Sequence, residues 1–318
     1  MAADDEFDGY TPKTVFMFPG QGAQTVGMGA AVAAEVPAAA ELYAKASEIL
    51  GYDLLAKCTE GPKEDLDTTA VSQPAIFVSS LAAVEKFRAE GGADAIDAAD
   101  IACGLSLGEY TALAFAGAIS FEDGVKITKA RGEAMQAASD AAQSGMVSVI
   151  GLDAEKTAEL CAAASEACGE PIAIANFLCP GNYACSGSLT AVDKVVEMAK
   201  PEFKARMAVK LAVAGAFHTD FMAPAVDKLA EVLKEVEVKK PRIPVISNVD
   251  AKPHSDPAVI KEILQKQVTA PVQWETIMKD ILATGAFEAG YELGPGKVLS
   301  GIMKRVDKKA PAVTNIEV

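Results

Sequence analysis

The sequence predicts an α/β protein: a large body built on a parallel sheet, interrupted by a small unit of different texture. Three observations lead there. Short β-branched and apolar runs alternate with longer segments of helical apolar spacing, the pattern of strands covered on both faces. One strand-to-helix junction, at Ser106, carries Gly-x-Ser-x-Gly. Between 143 and 212 the order changes to strand, helix, strand, strand, helix, strand. The 318 residues, 50% hydrophobic and 23% charged, fit a globular chain of two domains, or of one large domain with an insertion.

Taken in order, Lys13-Thr14-Val15-Phe16-Met17-Phe18 is a buried first strand ended by Pro19-Gly20. In the following Gly20-Gln21-Gly22 the next glycine comes too late for a dinucleotide fingerprint. A loop presenting backbone N–H groups to a reacting centre fits better. Apolar spacing predicts helices over 36–50 and 73–90, the second ended by Gly91-Gly92. Asp100-Ile101-Ala102-Cys103 closes a short strand, and a helix over 107–118 follows. The helix over 121–142 has Glu122 and Asp123 in its first turn, where they suit the dipole, and it carries Arg131.

From Gly145 a strand over 146–150 leads to a helix over 154–167 capped by Asp153. Strands over 171–176 and 183–187 flank Pro180-Gly181-Asn182, and a helix over 191–200 and a strand over 206–213 complete the unit. This βαββαβ order is ferredoxin-like. The expected division is a subdomain over 143–212 inside a body of 13–142 and 213–318. Residues 1–12 are expected to form a disordered leader, because the acidic start has neither the basic nor the apolar region of a secretory signal. The body resumes with the small-residue loop Gly215-Ala216-Phe217-His218 and a helix over 224–236. A short strand over 244–249, helices over 256–267 and 272–283, a strand over 287–293 and a helix over 298–306 follow. Gly294-Pro295-Gly296-Lys297 is not a P-loop: its spacing is wrong, and Val298 stands where Ser or Thr would hold magnesium.

Composition narrows the chemistry. A net charge of −15 argues against nucleic acid, whose phosphates need an excess of Lys and Arg. No apolar run reaches membrane-spanning length. The six cysteines (58, 103, 161, 168, 179 and 185) form no Cys-x-x-Cys and are expected as reduced thiols. Two histidines exclude a metal centre built on several, and no metal or cofactor is expected.

The elbow spacing lifts Ser106 onto a strained turn beside free helix N–H groups, where an oxyanion could be held. A serine nucleophile needs a base near neutrality. His254, between two prolines, reads as a surface residue, which leaves His218. No carboxylate stands out as the third member. Asp220 is too near His218 in sequence to be assumed as its partner.

Five stretches then fall together in order: Phe18-Pro19-Gly20-Gln21-Gly22-Ala23-Gln24, Gly104-Leu105-Ser106-Leu107-Gly108-Glu109-Tyr110, Arg131-Gly132-Glu133-Ala134-Met135, Gly215-Ala216-Phe217-His218 and Tyr291-Glu292-Leu293-Gly294-Pro295-Gly296. Over roughly 13–306 the chain resembles the malonyl-CoA:acyl carrier protein transacylases of type II fatty acid synthesis. The resemblance implies an α/β-hydrolase-like body with a ferredoxin-like subdomain. It places the nucleophile on Ser106 and the base on His218, with the main-chain carbonyl of Gln267 in place of a third acid. It puts the oxyanion hole at the backbone N–H groups of Gln21 and Leu107, and assigns the malonyl carboxylate to Arg131. A planar guanidinium suits a carboxylate, which an acetyl group lacks. Phe217, beside the base, is expected to crowd a branched acyl unit.

The same resemblance implies ping-pong transfer from malonyl-CoA to the thiol of an acyl carrier protein, by a monomer, with no cofactor. Many members carry His where Leu105 stands. The Leu form looks like the plant and algal branch, implying plastid stroma with a transit peptide outside this chain, or bacterial cytoplasm for a prokaryotic source. An acidic carrier facing an acidic enzyme needs a local basic surface, expected among Lys204, Arg206, Lys210, Lys297, Lys304 and Arg305. The rivals are a serine hydrolase or thioesterase using the same Ser–His pair, and a catalytically silent carrier-binding protein.

Overall fold

A computed structural model describes residues 5–318. In chain order the strands are β1 (Thr14–Phe18), β2 (Ile101–Gly104), β3 (Ser144–Ile150), β4 (Ile172–Cys179), β5 (Asn182–Ser188), β6 (Met207–Lys210), β7 (Val245–Ile246), β8 (Ala289–Leu293) and β9 (Val313–Ile316). The body sheet runs β7-β2-β1-β8-β9 with every pair parallel. Alternation along β1 sends Phe16 and Phe18 into the core on one face and Val15 and Met17 into the core on the other. That is why this strand is apolar throughout. Phe18 stands opposite Gly104, so the chain leaves β1 and β2 side by side at their carboxyl ends. Ligand crevices of parallel sheets form at such ends.

The second sheet has the order β4-β5-β3-β6 and is antiparallel throughout. This is the strand order of a ferredoxin-like βαββαβ unit, as the sequence predicts. The helices Ala154–Cys168 and Leu189–Ala199 pack with Val147 and Val149, while the alternate residue Met146 joins the body core. The two units are stitched together by Phe177 N–H donating to Val272 O at 2.9 Å and Val272 N–H donating to Ala175 O at 2.8 Å.

Several elements differ from expectation. The helix expected over 272–283 is Trp274–Ala283, because Val272 spends both its backbone groups on the small sheet. The strand expected over 244–249 shrinks to Val245–Ile246. Four short helices, Ala30–Glu35, Leu54–Glu60, Lys63–Leu66 and Ala93–Asp97, occupy stretches for which no element was expected, and β9 extends the body sheet. Of the expected leader, residues 1–4 lie outside the described residues. Residues 5–12 correct that expectation: the Asp5 carboxylate accepts from Ser255 N–H and Oγ–H at 2.9 and 3.0 Å, and Tyr10 packs on the body core.

Candidate active site

The site forms where β1, β2 and the small sheet meet. Ser106 sits between β2 and the helix Leu107–Phe115, at φ 52° and ψ −102°. Such a backbone costs about 1–3 kcal/mol and needs support. Close packing supplies part of it. A Cβ on Gly104 would lie 1.9 Å from the Gly108 carbonyl carbon, one on Gly108 would lie 2.1 Å from Phe18 O, and one on Gly20 would lie 2.3 Å from Leu105 O. Asn248 supplies the rest: Ser106 N–H donates to its Oδ1 at 2.6 Å, and its Nδ2 donates to Gly104 O at 2.8 Å.

The Ser106 hydroxyl lies 2.9 Å from His218 Nε2, and His218 Nδ1 lies 2.8 Å from Gln267 O. A carbonyl only accepts, so Nδ1 carries the proton and the Nε2 lone pair faces the hydroxyl. Burial, with Arg131 adding to it, pushes the His218 pKa down to about 4. The ring is therefore neutral and able to accept a proton at neutral pH. His254 bonds to Asp250 in a separate loop and does not line the site.

Arg131 is 1% exposed. Its Nη1 donates to Gln73 Oε1 at 2.8 Å, and its Nη2 donates to Gln267 Oε1 at 3.0 Å and to Ser106 Oγ at 3.2 Å. The guanidinium carbon lies 5.1 Å from the centre of the Tyr110 ring, and Nε is buried without a partner among the described residues. Among the described residues no carboxylate forms an ion pair with it. A buried cation surrounded by neutral amides is a receptor for an anion.

A cavity of about 200 Å³ joins these groups; Gly20, Gln21, Ser106, Arg131, Phe217 and His218 line it together with apolar side chains such as Leu178, Leu211 and Val298. Leu107 N–H, first in its helix, and Gln21 N–H donate to no protein group among the described residues. Phe217, 6% exposed, forms wall beside the base. Of the seven residues singled out from the sequence, Gln21, Ser106, Arg131, Phe217 and His218 line the cavity, while Leu107 and Gln267 are buried behind its wall. Glu109, Asn248 and Gln73 were missed. Each touches the site through a hydrogen bond to a residue distant in sequence, and amides have no spacing signature.

The basic residues divide. Arg206, Lys304 and Arg305, with Lys308, line a cleft of about 470 Å³ between the small sheet and the helix Val298–Val306. Lys297 pairs with Glu317 at 3.2 Å and Lys210 pairs with Asp193, so much of their charge is already matched. All six cysteines are free thiols. Among the described residues no helix is long and apolar enough to cross a membrane, and no three His, Cys, Asp or Glu side chains gather to hold a metal.

A serine on an elbow, a neutral imidazole oriented by a carbonyl, and two open N–H groups, one at a helix start and one in the turn after β1, are the parts of an acyl-enzyme centre. The model of the acyl transferase domain family matches residues 15–317. The mitochondrial malonyl-CoA-acyl carrier protein transacylase of Mus musculus is 42% identical over 306 residues, 93% of this chain and 80% of that protein. The malonyl CoA-acyl carrier protein transacylase of Bacillus subtilis is 40% identical, covering 95% of this chain and 92% of its own. An acyl carrier protein S-malonyltransferase from Vibrio cholerae superposes with a TM-score of 0.88 at 39% identity, over 96% of this chain and 97% of that one. A malonyl-transacylase solved in complex with its type II PKS acyl-carrier protein superposes at 0.87, with 35% identity over 95% of this chain and 94% of that one. The chain belongs to the acyl transferase domain family, and it is an acyltransferase.

Proposed function

We propose that the chain carries a malonyl group from malonyl-CoA to the phosphopantetheine thiol of an acyl carrier protein, through a malonyl ester on Ser106. The observation that carries this reading is Arg131: a buried guanidinium without a carboxylate partner among the described residues, 3.2 Å from the nucleophilic oxygen. An acyl group ending in a carboxylate supplies the missing anion at the distance of a short chain. The relatives named for malonyl transfer support the same substrate.

His218 Nε2 takes the Ser106 proton as Oγ attacks the thioester carbonyl. The N–H groups of Gln21 and Leu107 receive the oxyanion, and Gln267 O steadies the imidazolium through Nδ1–H. The C–S bond breaks and coenzyme A leaves with the proton from His218. The carrier thiol then gives its proton to His218 and attacks the ester, the second oxyanion collapses, and Ser106 recovers its proton. Arg131 holds the carboxylate throughout, away from the reacting carbon. The cleft lined by Arg206, Lys304 and Arg305 offers an acidic carrier a positive approach on a chain of net charge −15.

For the compartment, the Leu105 form of the elbow supports plastid stroma, or bacterial cytoplasm for a prokaryotic source. The test of function is to mix enzyme, malonyl-CoA and holo carrier and follow the three products. Malonyl-carrier appearing in step with free coenzyme A is expected. Free malonate in place of malonyl-carrier would make the chain a hydrolase, and no consumption would make it a silent binder.

A further inference from the structure

A buried carboxylate that no step above uses lies directly beneath the nucleophile. Glu109 is 3% exposed and sits in the first turn of the elbow helix, three residues after Ser106. Its Oε2 accepts from Asn248 N–H at 3.0 Å and from Gln267 Nε2 at 2.7 Å. Gln267, also buried, reaches every working part of the site. Its Nε2 also donates to Ser106 O at 3.0 Å, its Oε1 accepts from Arg131 Nη2 at 3.0 Å, and its main-chain oxygen accepts from His218 Nδ1–H at 2.8 Å.

A primary amide has two faces that differ only in which end donates. Turned over, the Gln267 amide would set its oxygen against Glu109 Oε2 and Ser106 O, and its NH2 against the Arg131 guanidinium. Each of those contacts pairs like with like in a dry setting, where an unmade hydrogen bond costs most. Glu109 Oε2 receives two N–H donors, so it acts as an acceptor whether or not the other oxygen holds a proton. We infer that Glu109 is a positioning residue: it locks the Gln267 amide in the one orientation that fixes Arg131 by Oε1 while the Gln267 carbonyl fixes His218. Substrate recognition and base orientation then share one support. This rests on the malonyl-transfer reading above. It adds that acyl-group selection depends on a residue that contacts no substrate.

Loosening Gln267 should therefore cost a donor held by Arg131 more than one that is not. The test measures the rate of acyl-Ser106 formation with malonyl-CoA and acetyl-CoA for the full chain and for Glu109→Ala, Glu109→Asp and Glu109→Gln. Aspartate keeps the charge but withdraws the oxygen by one methylene, whereas glutamine keeps the oxygen and drops the charge. The Ala and Asp variants are expected to lose about 10²-fold in malonyl loading, the scale of a misplacement of about 1 Å. Acetyl loading should fall about tenfold less, so the malonyl-to-acetyl ratio drops. Glutamine is expected to rescue both the rate and the ratio. If Asp behaves as wild type while Gln is impaired, the role is charge rather than position, and the inference is overturned. Equal losses for both donors without rescue by Gln would reduce Glu109 to a packing residue. Should Ala fail to fold, judged by near-UV circular dichroism, the Asp and Gln pair decides. Wild type forming no malonyl ester would instead overturn the reading of function on which the inference rests.

Discussion

Replacing Arg131 with alanine separates substrate recognition from acyl chemistry. Arg131 is almost fully buried and donates to Gln73, Gln267 and Ser106, with no carboxylate among the described residues paired to it. A bound malonyl group supplies that carboxylate. Removing one partner of a desolvated, hydrogen-bonded charge pair costs about 2–5 kcal/mol, and about 1.4 kcal/mol is tenfold in rate, which sets a loss of roughly 30- to 4,000-fold in kcat/KM for malonyl loading. An acetyl donor has no carboxylate to lose. It is affected only through the 3.2 Å contact between Arg131 and Ser106 Oγ, a hydrogen bond to a charged group whose lower range is about 1.5 kcal/mol, or roughly tenfold. The malonyl-to-acetyl preference should therefore fall by about 3- to 400-fold, because the two donors lose unequally. Quenched-flow loading followed by mass measurement of Ser106 gives both rates, and near-UV circular dichroism checks the fold. Equal losses for the two donors would refute the carboxylate role of Arg131.

Four further outcomes are expected. Burial holds the His218 pKa at about 4, below its ordinary 6.5, so the folded state binds fewer protons than the unfolded state. Its contribution to stability is full above pH 6.5 and is lost as pH falls toward 4; urea unfolding should show His218→Gln losing less stability than wild type across that window. Gly108→Ala puts a methyl 2.1 Å from Phe18 O, and chemical denaturation should show a loss above about 3 kcal/mol. Phe217→Ser opens the wall beside the base and should raise turnover of methylmalonyl-CoA; no gain would remove Phe217 from acyl selection. Transfer to the carrier should slow as salt rises from about 0.05 to 0.5 M, while loading from coenzyme A changes less; transfer indifferent to salt would rule out an electrostatic docking surface.

Much of this architecture was legible because it depends on features that leave a mark in the chain. Gly104 and Gly108 are required where strand and helix backbones almost touch, so Gly-x-Ser-x-Gly locates the elbow. His218 follows by elimination from a chain with two histidines. The strand over 146–150 was readable from its apolar run, and in the structure its period of two turns Met146 toward the body and Val147 toward the small unit's own helices. The missing parts are those that topology assembles. Asn248 reaches Ser106 across 142 residues and Gln73 reaches Arg131 across 58, through neutral amides that carry no pattern. Glu109 stood within the quoted motif, yet nothing local indicates that its carboxylate turns inward to Gln267. β9 is four residues with Thr and Asn at its centre, and it is a strand only because β8 offers it an edge. Residues 5–12 read as a leader because the anchor of Asp5, Ser255, lies 250 residues away in sequence.

The most direct measurement is the intact mass of the protein after brief mixing with malonyl-CoA, without a carrier, beside Ser106→Ala. One malonyl adduct is expected on the wild type alone, cleared when holo carrier is added. An adduct that persists on Ser106→Ala, or a wild type that consumes malonyl-CoA without ever holding the acyl group, would contradict that expectation.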